Sequence, residues 1–204
     1  MSDDARRDAL KKIKDEVLAL VESPLYEYRT KNRYYPVIGE GSHYAKLMFV
    51  GEAPGRTEAE TGRPFVGAAG RVLEELLETV GLDRKEVYIA NILKDRPPEN
   101  RDPLPEEILV YGPFLDRQIE IIQPSVIATL GRYSLGYIMR KFELGLYLQP
   151  ISYMHGKSFA TKAPYGDISV VCLYHPAVAV YNSGMKETLK KDFQIISSLL
   201  SHGT

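Results

Sequence analysis

Apolar residues recur along the chain with two spacings. Leu10, Ile13, Val17 and Leu20 stand three and four apart with Lys, Asp and Glu between them, which predicts an amphipathic helix over residues 3–22. Short apolar runs without that spacing follow: AKLMFV (45–50), VYIANIL (87–93), SVIATLG (125–131) and ISVVCLYH (168–175), each suited to a buried strand. ISYMHGKSF reads as a further short strand joined to the last of these around a turn. Helices are predicted from about Gly70 to Val80, closed by Gly81, and from Pro105, which suits a first helical turn, to about Gln123. Two more run from the end of SVIATLG to about Phe142 and from Lys186 to Leu200. The Tyr-, Arg- and Gly-rich stretch from Ser23 to His43 reads as an irregular connection, and GEAPGRTEAETGRPFVGAAG as one long functional loop.

Alternating strands and helices predict an α/β fold, a three-layer α/β/α arrangement around a central, mainly parallel four-stranded sheet. Ligands of such sheets lie beyond the carboxyl ends of the strands. Three segments leave those ends here: GEAPG, KDRPPENR and HPAVAVYN.

The length of 204 residues fits one domain over 1–204, with the N-terminal helix at 3–22 and the core at 35–200. No apolar run approaches the roughly 20 residues of a membrane span, and the start MSDDARRDALKKIKDE is too charged for a signal peptide, so a cytoplasmic location is expected, and the chain is taken as a monomer. The formal net charge of −1 does not by itself point to nucleic acid, and any DNA-binding face must be a local basic patch. The one cysteine, Cys172, makes neither an intramolecular disulfide nor a multi-cysteine metal site, and its apolar surroundings suit a core position. No metal site is expected. GEAPG lacks the ending of a P-loop and the glycine spacing of a dinucleotide fingerprint.

Four residues carry candidate chemistry. Glu52 follows a buried strand and is held by the turn Ala53-Pro54-Gly55; alone it reads as readily as a helix cap or a surface turn acid. His175 ends another strand before Pro176 and points to the same crevice, although a lone His is more often structural. Asn91 is a polar amide in an apolar strand and needs partners. Phe65, in GRPFVG, is either a core plug or a flat stacking surface.

GEAPG, GRPFVGAAG, NILKDRPPENRDPLP, TLG and YHPA occur in this order, and the set closely resembles family 4 uracil-DNA glycosylases over roughly residues 35–200. The resemblance implies hydrolytic removal of uracil from DNA, which leaves an abasic site. Glu52 would support attack of water on the sugar, and His175 would sit near the base O2. Phe65 would stack on the flipped base and Asn91 would read its edge, with Gly51, Ala53, Pro54 and Gly55 shaping the backbone beside it. The segment from Pro176 through Ala177 and Val178 to Ser183 would press into the duplex. Breaking the bond between base and sugar leaves positive charge on the sugar and negative charge on uracil, so a carboxylate on one side and a donor on the other suit the reaction. Phosphate contacts would come from Arg56, Arg63, Lys94, Arg96, Arg101 and Lys157, each of which also reads as a solvated surface charge. Two other readings share these motifs: a glycosylase for another deaminated base such as hypoxanthine or xanthine, and a DNA-binding protein that does not cut. Retention of Glu52, Asn91, Phe65 and His175 together argues against the second.

The chain departs from the family pattern in one systematic way. The resemblance implies four cysteines holding an iron–sulfur cluster, yet VESPLYEYRTKNR contains none, Asp95 stands at the cysteine of the CRPP motif and Tyr111 at the last position. No cofactor is therefore expected, and Tyr26, Tyr28, Tyr34, Tyr35 and Tyr111 are candidates to fill the space. His155 and Tyr181 also stand where Arg is expected, which removes two phosphate contacts.

Overall fold

In the computed structural model, which describes residues 3–201, the elements in chain order are α1 (Asp3–Leu18), α2 (Tyr26–Lys31), β1 (Glu40–Gly41), β2 (Leu47–Gly51), α3 (Arg56–Thr61), α4 (Ala68–Thr79), β3 (Tyr88–Asn91), α5 (Pro105–Ile122), β4 (Val126–Leu130), α6 (Arg132–Lys141), α7 (Ile151–Met154), β5 (Lys157–Ala163), β6 (Gly166–Leu173), α8 (Ala177–Tyr181) and α9 (Met185–Ser201). The apolar strand runs pack on both sides of the sheet because successive side chains point to opposite faces. In β2, Met48 and Val50 join one core with α1, α5 and α6 residues such as Ile13, Leu115 and Ile138. Leu47 and Phe49 join the other, with Leu73, Ala179 and Phe193 from α4, α8 and α9.

The sheet has six strands in the order β1-β3-β2-β4-β6-β5. Strands β3, β2, β4 and β6 are parallel neighbours, and β1 and β5 pair antiparallel at the two edges. The four-stranded expectation thus describes only the parallel interior of a larger mixed sheet. Strand β1 is two residues long and leaves no periodic trace in the sequence. Its Gly41 passes so close to β3 that a Cβ there would lie 1.9 Å from the Val87 carbonyl oxygen, and its φ is +127°. Strand β5 is polar, with Lys157 and Lys162 exposed, as suits an edge. The predicted strand ISYMHGKSF is divided: its first half forms α7 and only its end enters β5.

Three further expectations change. The first helix ends at Leu18 and not at residue 22, because Arg29 turns back and donates to the carbonyl oxygens of Val17 and Leu18, both at 2.9 Å. Leu20 still packs against the core. The stretch 23–43 is not wholly irregular, since it holds α2 and β1, and the long Gly-rich loop contains α3, which ends at Gly62 in the left-handed region (φ 72°).

Candidate functional site

The four interior strands are parallel, so their carboxyl ends lie along one side of the sheet. There a cavity of about 380 Å³ is lined by Glu52, Phe65, Asn91, Asn100, His175 and Tyr181, together with Ala53, Gly55, Glu58, Ala68, Ala69, Ala177 and Val180. Three roomier clefts, of about 410, 510 and 640 Å³, contain neither Glu52 nor His175. Gly51 and Pro54 are buried and are not among the residues that line the cavity.

Strand β3 fixes the backbone around the carboxylate. Ile92 N–H donates to Gly51 O and Leu93 N–H to Glu52 O, both at 3.0 Å. Burial first, and then the charge of Asp102, push the Glu52 carboxyl up to about 7, against the pull of Arg132. Arg132 and Asp102 form a 2.5 Å ion pair on exposed ground.

Asn91 is 2% exposed, and among the described residues its Oδ1 has no hydrogen-bond partner. A buried acceptor left unpaired is costly and calls for a donor supplied from outside. Gly51 makes room for it, since a Cβ there would lie 2.3 Å from Asn91 Oδ1 and 2.8 Å from the Phe65 ring. Phe65 holds a left-handed backbone (φ 48°), unusual for an aromatic residue. Arg84 stabilises it by donating to Phe65 O at 3.0 Å and Pro64 O at 2.5 Å, and Gly70 allows the Phe65 carbonyl to come close. Glu58 secures the following turn by accepting from Val66 N and Gly67 N at 2.9 and 2.7 Å.

The His175 ring centroid lies 5.5 Å from that of Phe65. Its Nδ1 accepts the Ala177 N–H at 3.2 Å. Burial pushes the imidazole down to about 4, so it is neutral near pH 7. A neutral ring whose Nδ1 accepts carries its proton on Nε2, which is then a donor. Gly131, in the TLG motif, has φ 92° and would bring a Cβ to 3.2 Å from His175 Cβ, so this glycine admits the histidine.

The expected DNA-contact set fares unevenly. Lys94 is fully buried and donates to Asn91 O at 2.7 Å and Gln118 Oε1 at 2.5 Å, so it cannot reach a phosphate. Arg96 is also buried, with Asn100 Oδ1, Tyr28 Oη and Tyr34 Oη as its acceptors. Sequence shows the charge of both residues but not the fold of the loop around them. Arg101 is paired with the buried Glu107, Arg63 with Glu40 and Arg56 with Glu60. Lys157 is exposed on β5. Pro176 is buried, and Ala177 and Val178 are half-buried, because α8 turns them inward. The tip presented outward is Val180 and Tyr181, the latter 89% exposed. His155 is bonded to Asp192 at 2.7 Å and stacked on Tyr174 with centroids 4.4 Å apart.

Sequence reasoning missed Asn100, Arg84 and Glu58. Asn100 sits in PPENR, inside a segment already singled out, but its place in the cavity depends on two consecutive left-handed residues, Glu99 and Asn100. Arg84 acts from outside every motif.

A family model described as the uracil DNA glycosylase superfamily matches residues 38–196. The chain is 46% identical over 193 residues to a type-4 uracil-DNA glycosylase of Sulfurisphaera tokodaii, covering 94% of this chain and 85% of that one. It is 44% identical to a type-4 uracil-DNA glycosylase of Archaeoglobus fulgidus, with 84% of each chain covered. It is also 44% identical to one of Saccharolobus solfataricus, with 95% of this chain and 88% of that one covered.

Proposed function

The chain belongs to the uracil-DNA glycosylase superfamily, and from that premise we propose that the cavity at the strand ends receives a uracil flipped out of DNA and is where its N-glycosidic bond is hydrolysed. The protein is a uracil-DNA glycosylase, a hydrolase of DNA repair that acts on uracil-containing DNA. Among the described residues no helix is long and apolar enough to cross a membrane. The reading takes the enzyme as one cytoplasmic domain over residues 1–204 acting as a monomer.

The observation that carries the site assignment is the unpartnered Asn91 Oδ1 in the cavity. Uracil offers N3–H as a donor and O4 as an acceptor, so one amide satisfies both, with Oδ1 accepting and Nδ2 donating. Cytosine reverses donor and acceptor at these two positions and leaves the amide mismatched. A base in a duplex must leave the stack before it can meet Asn91, and Phe65 gives the flipped ring an apolar face.

As the C1′–N1 bond breaks, its electron pair goes to the base and the sugar becomes cationic. The His175 Nε2–H donates to O2 as negative charge gathers there, and a neutral imidazole does so without surrendering its proton. The Glu52 carboxylate stabilises the cationic sugar and takes a proton from the water that adds to C1′. The uracil anion takes up one proton as Glu52 releases one to solvent, so the products are free uracil and an abasic deoxyribose. A carboxyl raised to about 7 suits a base that works near neutral pH.

The test is an oligonucleotide bearing a single uracil, treated with alkali after incubation to cleave abasic sites. Strand cleavage at uracil, with none at thymine in the same context, is expected. Folded protein in excess that leaves the uracil strand intact overturns the proposal.

A further inference from the structure

An iron–sulfur cluster, which the family resemblance implies, requires thiolates. The residues present do not fit it: Asp95 and Tyr111 occupy two of the cluster positions, and the chain's single cysteine, Cys172, is buried in β6. The same two residues meet one another. Tyr111 Oη donates to Asp95 Oδ2 at 2.6 Å. Since that uses the only phenol proton, the 2.5 Å contact between Ser23 Oγ and Tyr111 Oη must have the serine as donor. Ser23 Oγ in turn accepts Leu25 N–H at 3.1 Å. On the other side Arg29 Nη1 reaches both Asp95 oxygens at 3.1 and 3.3 Å.

The result is a one-way series of hydrogen bonds from Leu25 through Ser23 and Tyr111 to Asp95, closed by Arg29. It is almost dry, with Arg29 5% and Asp95 1% exposed. A buried ion pair holds only if its remaining hydrogen-bonding groups are satisfied. Here Tyr111 supplies a further donor to the carboxylate, and the carbonyls at the end of α1 absorb other guanidinium protons. Five parts of the chain meet in it: the end of α1, the connection to α2 that carries Ser23 and Leu25, α2, the loop after β3, and α5. The next residue, Arg96, continues the tie to Tyr28, Tyr34 and the cavity-lining Asn100.

We propose that this buried Ser23–Tyr111–Asp95–Arg29 network is a polar cross-link standing where the cluster would be, and that Asp95 is a positioning residue that fixes the loop carrying Asn100 to the cavity. The cross-link stands on contacts independent of the proposed reaction. Only the positioning role rests on that reading, so the two have separate readouts.

Tyr111→Phe removes one hydroxyl and leaves the Ser23 hydroxyl without its acceptor. Its melting temperature should fall by about 3–10 °C. Amide hydrogen exchange should quicken by about tenfold in residues 23–34 and 94–100 and stay unchanged in β4 and β6. At a temperature where the variant is fully folded, single-turnover excision should slow by about three- to tenfold while affinity for uracil DNA stays within about twofold. Exchange that is unchanged, or that rises evenly over the chain, overturns the cross-link. Local opening with wild-type excision overturns the positioning role. If Tyr111→Phe does not fold, Asp95→Asn, which keeps the shape and removes the charge facing Arg29, decides by the same measurements. Anaerobic reconstitution with ferrous iron and sulfide should leave no stoichiometric iron, and one cluster's worth per chain also overturns the cross-link.

Discussion

Two groups of polar residues, whose nearest members Asn91 and Asp95 stand at the end of β3 and in the loop after it, are built on opposite rules. Around Asp95 each polar side chain has a protein partner: Ser23, Arg29 and Tyr111 give or take hydrogen bonds at 2.5 to 3.3 Å. In the cavity the residues are left wanting. Among the described residues Asn91 Oδ1 has no partner, and His175 uses its Nδ1 to accept the Ala177 N–H, which leaves the Nε2 proton for a ligand. Saturated groups hold parts of the fold together, whereas unsaturated ones wait for a ligand. The contrast yields different forecasts: changes in the cavity should harm chemistry and spare stability, and changes in the network should harm stability first and slow chemistry only modestly, through the loop that carries Asn100.

The largest effect is expected at Glu52. Glu52→Gln keeps the shape and removes the charge that faces the developing cation. Single-turnover excision should fall by about 10²–10⁴-fold, the scale of a lost general base, while binding to uracil DNA changes little. The pH dependence sharpens the point. If the ionised carboxylate is the working form, the wild-type rate rises with pH through a limb near 7, and Glu52→Gln abolishes that limb. His175 adds no limb near neutrality, because burial holds it down to about 4. A Glu52→Gln rate equal to wild type removes Glu52 from the mechanism.

Asn91 tests the contrast more directly. Asn91→Leu discards the oxygen that has no partner in the free protein. Transition-state binding should weaken by about 1–3 kcal/mol, or roughly five- to 150-fold in kcat/KM. The melting temperature should hold within about 2 °C or rise, since no hydrogen bond to Oδ1 is lost. A large fall in melting temperature with intact excision would place Asn91 among the structural groups and dissolve the distinction.

Sequence made the cavity group easier to see than the network. Glu52, Asn91 and His175 sit in compact motifs at or near strand ends, which parallel topology brings together whatever the exact strand count, and Phe65 sits in the GRPFVG motif between α3 and α4. The network shares no single motif: Asp95 lies in KDRPPENR, while Ser23, Arg29 and Tyr111 lie outside it. Arg29 and Asp95 are 66 residues apart, and one arginine among the cations of a Tyr-rich stretch looks like surface charge until the fold buries it. Lys94 misleads for the same reason, because its charge suggests phosphate while its side chain runs inward to Asn91 O and Gln118. Short elements escaped detection as well, since α2, α3 and β1 have too few residues for a period to show. Patterns that repeat locally are legible, and pairings made by distant loops are not.

The smallest effect concerns stability and separates charge from shape at Glu52. Its carboxyl is raised from 4.5 to about 7 in the folded chain, chiefly by burial. The folded protein therefore binds the proton more tightly than the unfolded chain. That contribution is fully present below 4.5 and is lost as pH rises through about 7. Gln at this position has no charge to bury. Wild type and Glu52→Gln should then melt together at about pH 5, and the variant should melt higher at about pH 8, by roughly 2–4 °C, because the site is only partly shielded from water. Tyr111→Phe should melt below wild type at both pH values, since its loss is a hydrogen bond and not a titration. If the difference between Glu52→Gln and wild type is the same at both pH values, the carboxyl titrates normally, and the cavity does not hold its charge at a cost.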